Sequence, residues 1–194
     1  MHGLPLTPEV LVAAYANAIF PMDVEGSIQW FSPDPRAIIE LDAFHEPGNI
    51  AQLRRSGRFE IRIDTAFEDV IRACADRPEG TWISEPIVKA YCQLHRLGTA
   101  HSVESWREGT LEGGLYGVAL GGAFFGESMF YRSTDASKVA LAALVERLRE
   151  RGYQLLDIQF LTPHLAKFGA VEISRDDYTR RLKKALRITT RFVD

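Results

Sequence analysis

The sequence has little of what marks a secreted, membrane-spanning or metal-dependent protein. Only two cysteines, Cys74 and Cys92, occur in 194 residues, and they form no C-x-x-C pair. No disulfide framework can be built from them, and buried free thiols are the expected state. The five histidines (His2, His45, His95, His101 and His164) are scattered without the spacing of a zinc site. No apolar run approaches the roughly 18 residues that a bilayer span needs. The opening Met1-His-Gly-Leu-Pro5 has no basic stretch leading into an apolar core, so no secretory signal is expected and the expected location is the cytoplasm. An excess of positive charge is missing too. The formal net charge is −3, so any contact with nucleic acid must use a local basic patch.

Several catalytic signatures are also absent. Gly113-Gly114 and Gly121-Gly122 fit neither a Walker loop nor a G-x-G-x-x-G fingerprint. No Gln/Arg-x-x-Gly-x-Gly loop is present to hold the pyrophosphate of coenzyme A, and the glycine pairs read instead as bulges and turns. Ser128, Ser137 and His101 lack a G-x-S-x-G elbow, so they read as capping and core groups rather than a hydrolytic triad.

What remains is an ordinary globular composition, 46% hydrophobic and 25% charged, with clear local signals. Thr7 and Pro8 open a helix whose Leu11, Ala14, Tyr15 and Ala18 share a face. Trp30-Phe-Ser-Pro-Asp-Pro-Arg36 is extended, because its prolines resist helix. A strand over 37–41 follows, then helix, strand and helix over 49–77, and a helix opened by Ser84 and closed by Gly98. From residue 100 the spacing predicts a hairpin turning at Glu108-Gly109, a third strand over 121–131, a long helix over 136–151, and a strand over 153–160. A short helix after Thr162-Pro163, a short strand, and a helix capped by Ser174-x-x-Asp177 complete the chain, and the tail to Asp194 carries no signal. Three antiparallel strands, a helix and a parallel step describe an α+β chain of acetyltransferase-like (GNAT) order. The division expected is a small N-terminal α+β domain, 1–75, and a C-terminal GNAT-like domain, 76–194.

The chemical clue lies in the apolar strands. Strict alternation puts Phe125, Glu127 and Met129 on one face of the third strand, and Phe124, Ser128 and Phe130 on the other. Asp157 and Gln159 share a face of the next. A carboxylate among aromatics is costly unless paired or used, so the trio is either a polar centre able to bind an amine or a set of structural hydrogen-bonding groups. A second cluster, Arg175, Arg180, Arg181, Lys183, Lys184, Arg187 and Arg191, crowds the last helix and tail. It is either a solvated face or a phosphate-backbone patch. Arg54, Arg55, Arg58 and Arg62 offer a second patch.

Longer motifs carry a resemblance. Ile19-Phe-Pro21, Trp30-Phe-Ser-Pro-Asp-Pro-Arg36, Gly80-Thr-Trp-Ile83, Gly126-Glu-Ser-Met-Phe130, Asp157-x-Gln159 and Arg175-x-x-Tyr178 together resemble the bacterial leucyl/phenylalanyl-tRNA–protein transferases, over nearly the whole chain. The resemblance implies transfer of leucine or phenylalanine from leucyl-tRNA or phenylalanyl-tRNA to proteins with N-terminal Arg or Lys, which marks them for degradation. The ester donor is already activated, so no cofactor, ATP or metal is implied, and a monomer is expected. Asp157 would orient Gln159 at the acceptor amine, with Glu127 beside the basic N-terminal residue. Tyr15, Met22, Trp30 and Tyr91 would approach the terminal adenosine, Leu115, Phe124, Leu144 and Leu156 would line the donor side-chain pocket, and Arg175, Arg180, Arg181, Lys183 and Lys184 would meet the tRNA backbone. The chain departs from the pattern at Met22, where the family usually has tryptophan, and in the loop Phe160-Leu-Thr-Pro-His164. The rival classes are a coenzyme-A-dependent acyltransferase, a peptidoglycan-type aminoacyl-tRNA transferase and a non-catalytic binder of protein N-termini.

Overall fold

The computed structural model of the chain describes residues 5–194, and Met1–Leu4, on which the signal-segment expectation partly rests, lie outside the described residues. Thr7 accepts a hydrogen bond from the Val10 amide and starts helix α1 (Pro8–Ala16), which buries Leu11 and Tyr15. The chain then forms a hairpin that the local sequence signals do not reveal: β1 (Phe20–Val24) pairs antiparallel with β2 (Ser27–Phe31). Glu25 and Gly26 both have positive φ, 53° and 80°, as a two-residue type I′ turn requires. There follow β3 (Arg36–Ile39), a 3-10 turn (Leu41–Ala43), α2 (Gly48–Arg55), β4 (Glu60–Ile63), α3 (Phe67–Ala75) and α4 (Glu85–Arg96). Next come β5 (Ala100–Arg107), β6 (Thr110–Leu120), β7 (Ala123–Tyr131) and α5 (Ala136–Glu150). The chain closes with β8 (Leu155–Gln159), α6 (Pro163–Ala166), β9 (Ala170–Ile173) and α7 (Arg175–Ala185). The Glu108-Gly109 turn between β5 and β6 repeats the geometry of the first hairpin, with φ of 51° and 76°.

Seven strands form one sheet in the order β4-β5-β6-β7-β8-β3-β9. The meander β5-β6-β7 is antiparallel, and α5 carries the chain across to β8, which pairs parallel with β7. This is the α+β, acetyltransferase-like order expected of the second half. Both β3 and β4, which precede residue 75, are strands of the same sheet. Helices cover both faces. On one, Tyr15, Val70, Tyr91 and Tyr178 of α1, α3, α4 and α7 pack on Tyr116, Phe125 and Phe130. On the other, Leu141, Leu144 and Leu148 of α5 pack on Leu115, Phe124 and Leu156. Fully burying a side chain such as Phe125 or Leu148 contributes about 1.5–3 kcal/mol, so these two layers are the main source of stability.

The strict alternation expected along β7 is not what occurs. Tyr116 pairs with Ser128 and Gly117 with Gly126, which leaves Glu127 as an extra residue with no cross-strand partner. A bulge of this kind shifts the side-chain phase by one residue. Phe124 and Met129 therefore share the α5 face, and Phe125 and Phe130 share the other. Gly117 is what permits it: a Cβ there would lie 2.3 Å from the Phe125 carbonyl oxygen and 2.4 Å from the Phe124 ring.

Candidate active site

The parallel pairing of β7 with β8 ends at Phe125 and Asp157. Just beyond, β7 bulges at Glu127, and β8 shifts register against β3 so that Ile158 is left over. Gln159 takes a left-handed conformation, φ 57°, which is uncommon outside glycine and signals an over-determined position. The two strands part there, and a cavity of about 340 Å³ opens beside them. Leu115, Met129, Leu141, Leu144, Leu156, Ile158 and Leu165 supply an apolar wall, while Glu127, Ser128 and Gln159 are polar groups on its border. Phe20, Met22, Trp82, Phe160 and His164 also line it.

Glu127 is held from below. The Tyr15 hydroxyl donates to its Oε1 at 2.7 Å and the Tyr91 hydroxyl reaches Oε2 at 3.4 Å. The two tyrosine hydroxyls also hydrogen-bond each other. Gln159 Nε2 donates to the same Oε1 at 3.1 Å. Burial pushes the Glu127 carboxyl up to about 8, against the opposing effect of the Tyr15 hydrogen bond. Tyr15 and Tyr91 are raised by burial and by the Glu127 charge, so both stay protonated, and with the Tyr15 proton given to Glu127 the Tyr91 proton goes to the Tyr15 oxygen.

Asp157 is arranged differently. It is wholly buried and does not border the cavity. Arg36 grips it with two nitrogens, Nε to Oδ1 at 3.0 Å and Nη2 to Oδ2 at 2.7 Å. The Tyr178 hydroxyl donates to Oδ2 at 2.6 Å, and the Gln159 backbone N–H donates to Oδ1 at 2.9 Å. Arg36 is itself enclosed. Its third nitrogen donates to the Ala18 carbonyl at 3.1 Å, and its guanidinium lies 4.9 Å from the Phe20 ring centre and 4.7 Å from that of Tyr178. A charge-assisted, bidentate pair of this kind has a specific geometry. Here its carboxylate is also hydrogen-bonded to the turn that presents Gln159. Among the described residues no group of three His, Cys, Asp or Glu side chains could hold a metal ion.

Comparison with known proteins adds to this geometry. The sequence model described as leucyl/phenylalanyl-tRNA protein transferase matches residues 38–183, and that of the corresponding N-terminal domain matches residues 5–34. The chain belongs to the leucyl/phenylalanyl-tRNA–protein transferase family. It is accordingly an aminoacyltransferase. Relatives bearing that name include proteins of Rubrobacter xylanophilus (59% identical, 96% of this chain and 98% of that one) and Herpetosiphon aurantiacus (55%, 96% and 98%). Another, from Gloeobacter violaceus, is 58% identical over 96% of this chain and 97% of that one. Solved structures with some likeness include L-PGS from Bacillus licheniformis (TM-score 0.44, 13% identity, 82% of this chain and 55% of that one). A GCN5-related N-acetyltransferase-like protein from Streptococcus suis is comparable (0.42, 14%, 86% and 64%). Likeness at that level carries no argument about activity.

The residues singled out from sequence fall into separate groups. Glu127 and Gln159 meet at the cavity, while Asp157 lies behind Gln159 and acts on its backbone, not its side chain. Leu115, Leu144 and Leu156 line the cavity, whereas Phe124 lies behind them, wholly buried. Met22 borders it, but Trp30 does not, and Tyr15 and Tyr91 are wholly buried. The two tyrosines therefore hold Glu127 and present no face to a ligand. Arg175, Arg180, Lys183 and Lys184, joined by Arg187, line a second, shallow cleft along α7. Arg181 does not line it and is engaged by Glu40 at 2.5 Å and Asp177 at 3.0 Å, while Arg180 also pairs with Asp177 and Arg175 lies 3.7 Å from Asp34. Two of the four arginines of the second basic patch are paired: Arg54 with Glu46 and Glu146, and Arg62 with Glu60. Arg36, Trp82 and Tyr178 stood inside recognisable motifs without a role, because nothing in a linear pattern shows which carboxylate a buried arginine will meet.

Proposed function

We propose that this chain transfers leucine or phenylalanine from aminoacyl-tRNA to the α-amino group of cytoplasmic proteins that begin with Arg or Lys, marking them for degradation. The observation that carries the reading is a single cavity with an apolar wall and the Glu127–Gln159 pair on its border. The leucyl or phenylalanyl side chain occupies the apolar wall, where Leu115, Leu144 and Leu156 offer no polar group. Such a wall discriminates weakly between apolar side chains, since a methylene is worth about 1–3 kcal/mol.

The acceptor amine approaches Gln159, whose Nε2 is engaged by Glu127 and whose amide oxygen accepts an amine N–H. The amine nitrogen bonds to the ester carbonyl carbon, the carbon–oxygen bond to the ribose breaks, and the ribose hydroxyl leaves with a proton that the amine gives up. The ester supplies the activation, so the protein works mainly by positioning. Asp157, held by Arg36 and Tyr178, accepts the Gln159 backbone N–H and so keeps Gln159 in its left-handed conformation. Glu127 pairs with the cationic side chain of the acceptor, whose charge draws its proton away. The cleft of Arg175, Arg180, Lys183, Lys184 and Arg187 takes the acceptor-stem phosphates. Transfer of labelled leucine from leucyl-tRNA to a peptide with N-terminal Arg tests the reading. Failure with both leucyl- and phenylalanyl-tRNA, while the peptide still binds, would leave only a binder of N-termini.

A further inference from the structure

The tail after α7 has no helix or strand, yet it is folded tightly against the sheet behind the cavity. Gly121-Gly122 admits it: a Cβ on Gly121 would lie 2.9 Å from the Leu186 Cα, and one on Gly122 2.9 Å from Ile188. Thr190 donates to the Arg151 carbonyl at 2.6 Å, and Arg147 Nε donates to the Phe192 carbonyl, also at 2.6 Å. These contacts drive Phe192 inward until it is only 2% exposed. Its ring centre lies 5.2 Å from that of Phe124, at an interplanar angle of 32°. Phe124 in turn pairs with Leu156 across the strands and packs in one cluster with Leu115 and Leu144. The order from the cavity outward is leucine wall, Phe124, Phe192.

We propose that Phe192 is a positioning residue for donor selection: by backing Phe124 it sets how deep the side-chain pocket is. This rests on the function proposed above. Protein interiors are close-packed, so a lost ring leaves a cavity into which its neighbours move part of the way. With Phe192 shortened, Phe124 relaxes toward the vacated volume, the leucine wall follows, and the pocket deepens. A deeper pocket fits a phenyl ring better and a leucyl group worse. A merely structural role for Phe192 would lower transfer of both amino acids alike.

The test is the ratio of kcat/KM for leucyl-tRNA to that for phenylalanyl-tRNA, with one Arg-led peptide, in the wild type, Phe192→Ala and Phe192→Leu. A thermal melt confirms which variants are folded. The expected result is a fall in the Leu:Phe ratio on the order of tenfold for Phe192→Ala, and a smaller fall in the same direction for Phe192→Leu. A ratio within about twofold of wild type in both folded variants overturns the proposal. Should Phe192→Ala fail to fold, an unchanged ratio in Phe192→Leu overturns it alone. Absence of transfer by the wild-type protein from either tRNA would instead overturn the underlying function, and this proposal with it.

Discussion

Replacing Asp157 by alanine tests the centre of this structure most sharply. The Arg36 side chain is 2% exposed and that of Asp157 is wholly buried, so neither charge can find water in the native state. Breaking a buried pair by removing one partner costs about 3–5 kcal/mol, because the other charge is left uncompensated. The Tyr178 hydroxyl and the Gln159 amide lose their acceptor as well, and each orphaned group costs about 1–3 kcal/mol unless water enters. These losses overlap, and a total of about 4–6 kcal/mol is a large share of the 5–15 kcal/mol available to a typical domain. Asp157→Ala should therefore be close to unfolding, and Asp157→Asn about 2–4 kcal/mol less stable than wild type, since it keeps one acceptor oxygen. The double variant Arg36→Met/Asp157→Ala removes the orphaned cation and should be more stable than Asp157→Ala alone, with a coupling of about 2–3 kcal/mol. Urea unfolding of wild type, Arg36→Met, Asp157→Ala and the double variant measures this cycle. Additive losses, or a cost below about 1 kcal/mol for Asp157→Ala, would refute the reasoning. In folded Asp157→Asn, transfer should fall more than tRNA binding, since Gln159 loosens while the exposed face of α7 is intact.

Three other variants probe the remaining parts. Glu127 titrates near 8 in the fold against 4.5 in the free group, so its contribution to stability is full below 4.5 and is lost as pH rises through 8. Wild type should lose on the order of 1–3 kcal/mol between pH 5 and pH 9 from this group after allowing for solvent in the cavity, and Glu127→Gln should not, by thermal melts across that range. Binding of an Arg-led peptide to wild type should strengthen over the same rise in pH and level off above about 8, a trend that isothermal titration should find missing in Glu127→Gln. Gly117→Ala should cost about 1–3 kcal/mol or more, read from a denaturation midpoint, because its Cβ would meet the Phe125 carbonyl at 2.3 Å. Lys183→Ala/Lys184→Ala should weaken tRNA binding and flatten the slope of log affinity against log salt by roughly one for each phosphate left without its lysine. An unchanged slope in a filter-binding titration would make that side of α7 a solvated surface.

Much of the fold was legible. Thr7, Thr162 and Ser174 each accept an amide hydrogen bond at the helix start assigned to them, because capping is a local interaction. The meander, α5 and the parallel step followed from apolar spacing for the same reason. The β1–β2 hairpin was not, although its Glu25-Gly26 turn repeats the dipeptide of Glu108-Gly109. The prolines nearby pointed to an extended segment, and the pairing of Phe20 with Phe31 lies beyond any one strand's pattern. The site was legible as a set of residue types, with Glu127, Asp157 and Gln159 recognised as polar groups in apolar strands. Their division of labour was not, since two of the three roles depend on partners far away in the chain.

Sequence alone determined the family, the α+β class and the identity of the polar trio, because those depend on residue type and near-neighbour spacing. Tertiary structure alone decided that Asp157 belongs to Arg36 and Tyr178, that Tyr15 and Tyr91 hold Glu127, and that Phe192 stands behind Phe124. It also decided the bulge at Glu127, since the phase of a strand is set by what packs on both of its faces. Each of these contacts joins residues distant in sequence, and their energy comes from burial and hydrogen bonding that exist only once the sheet has closed.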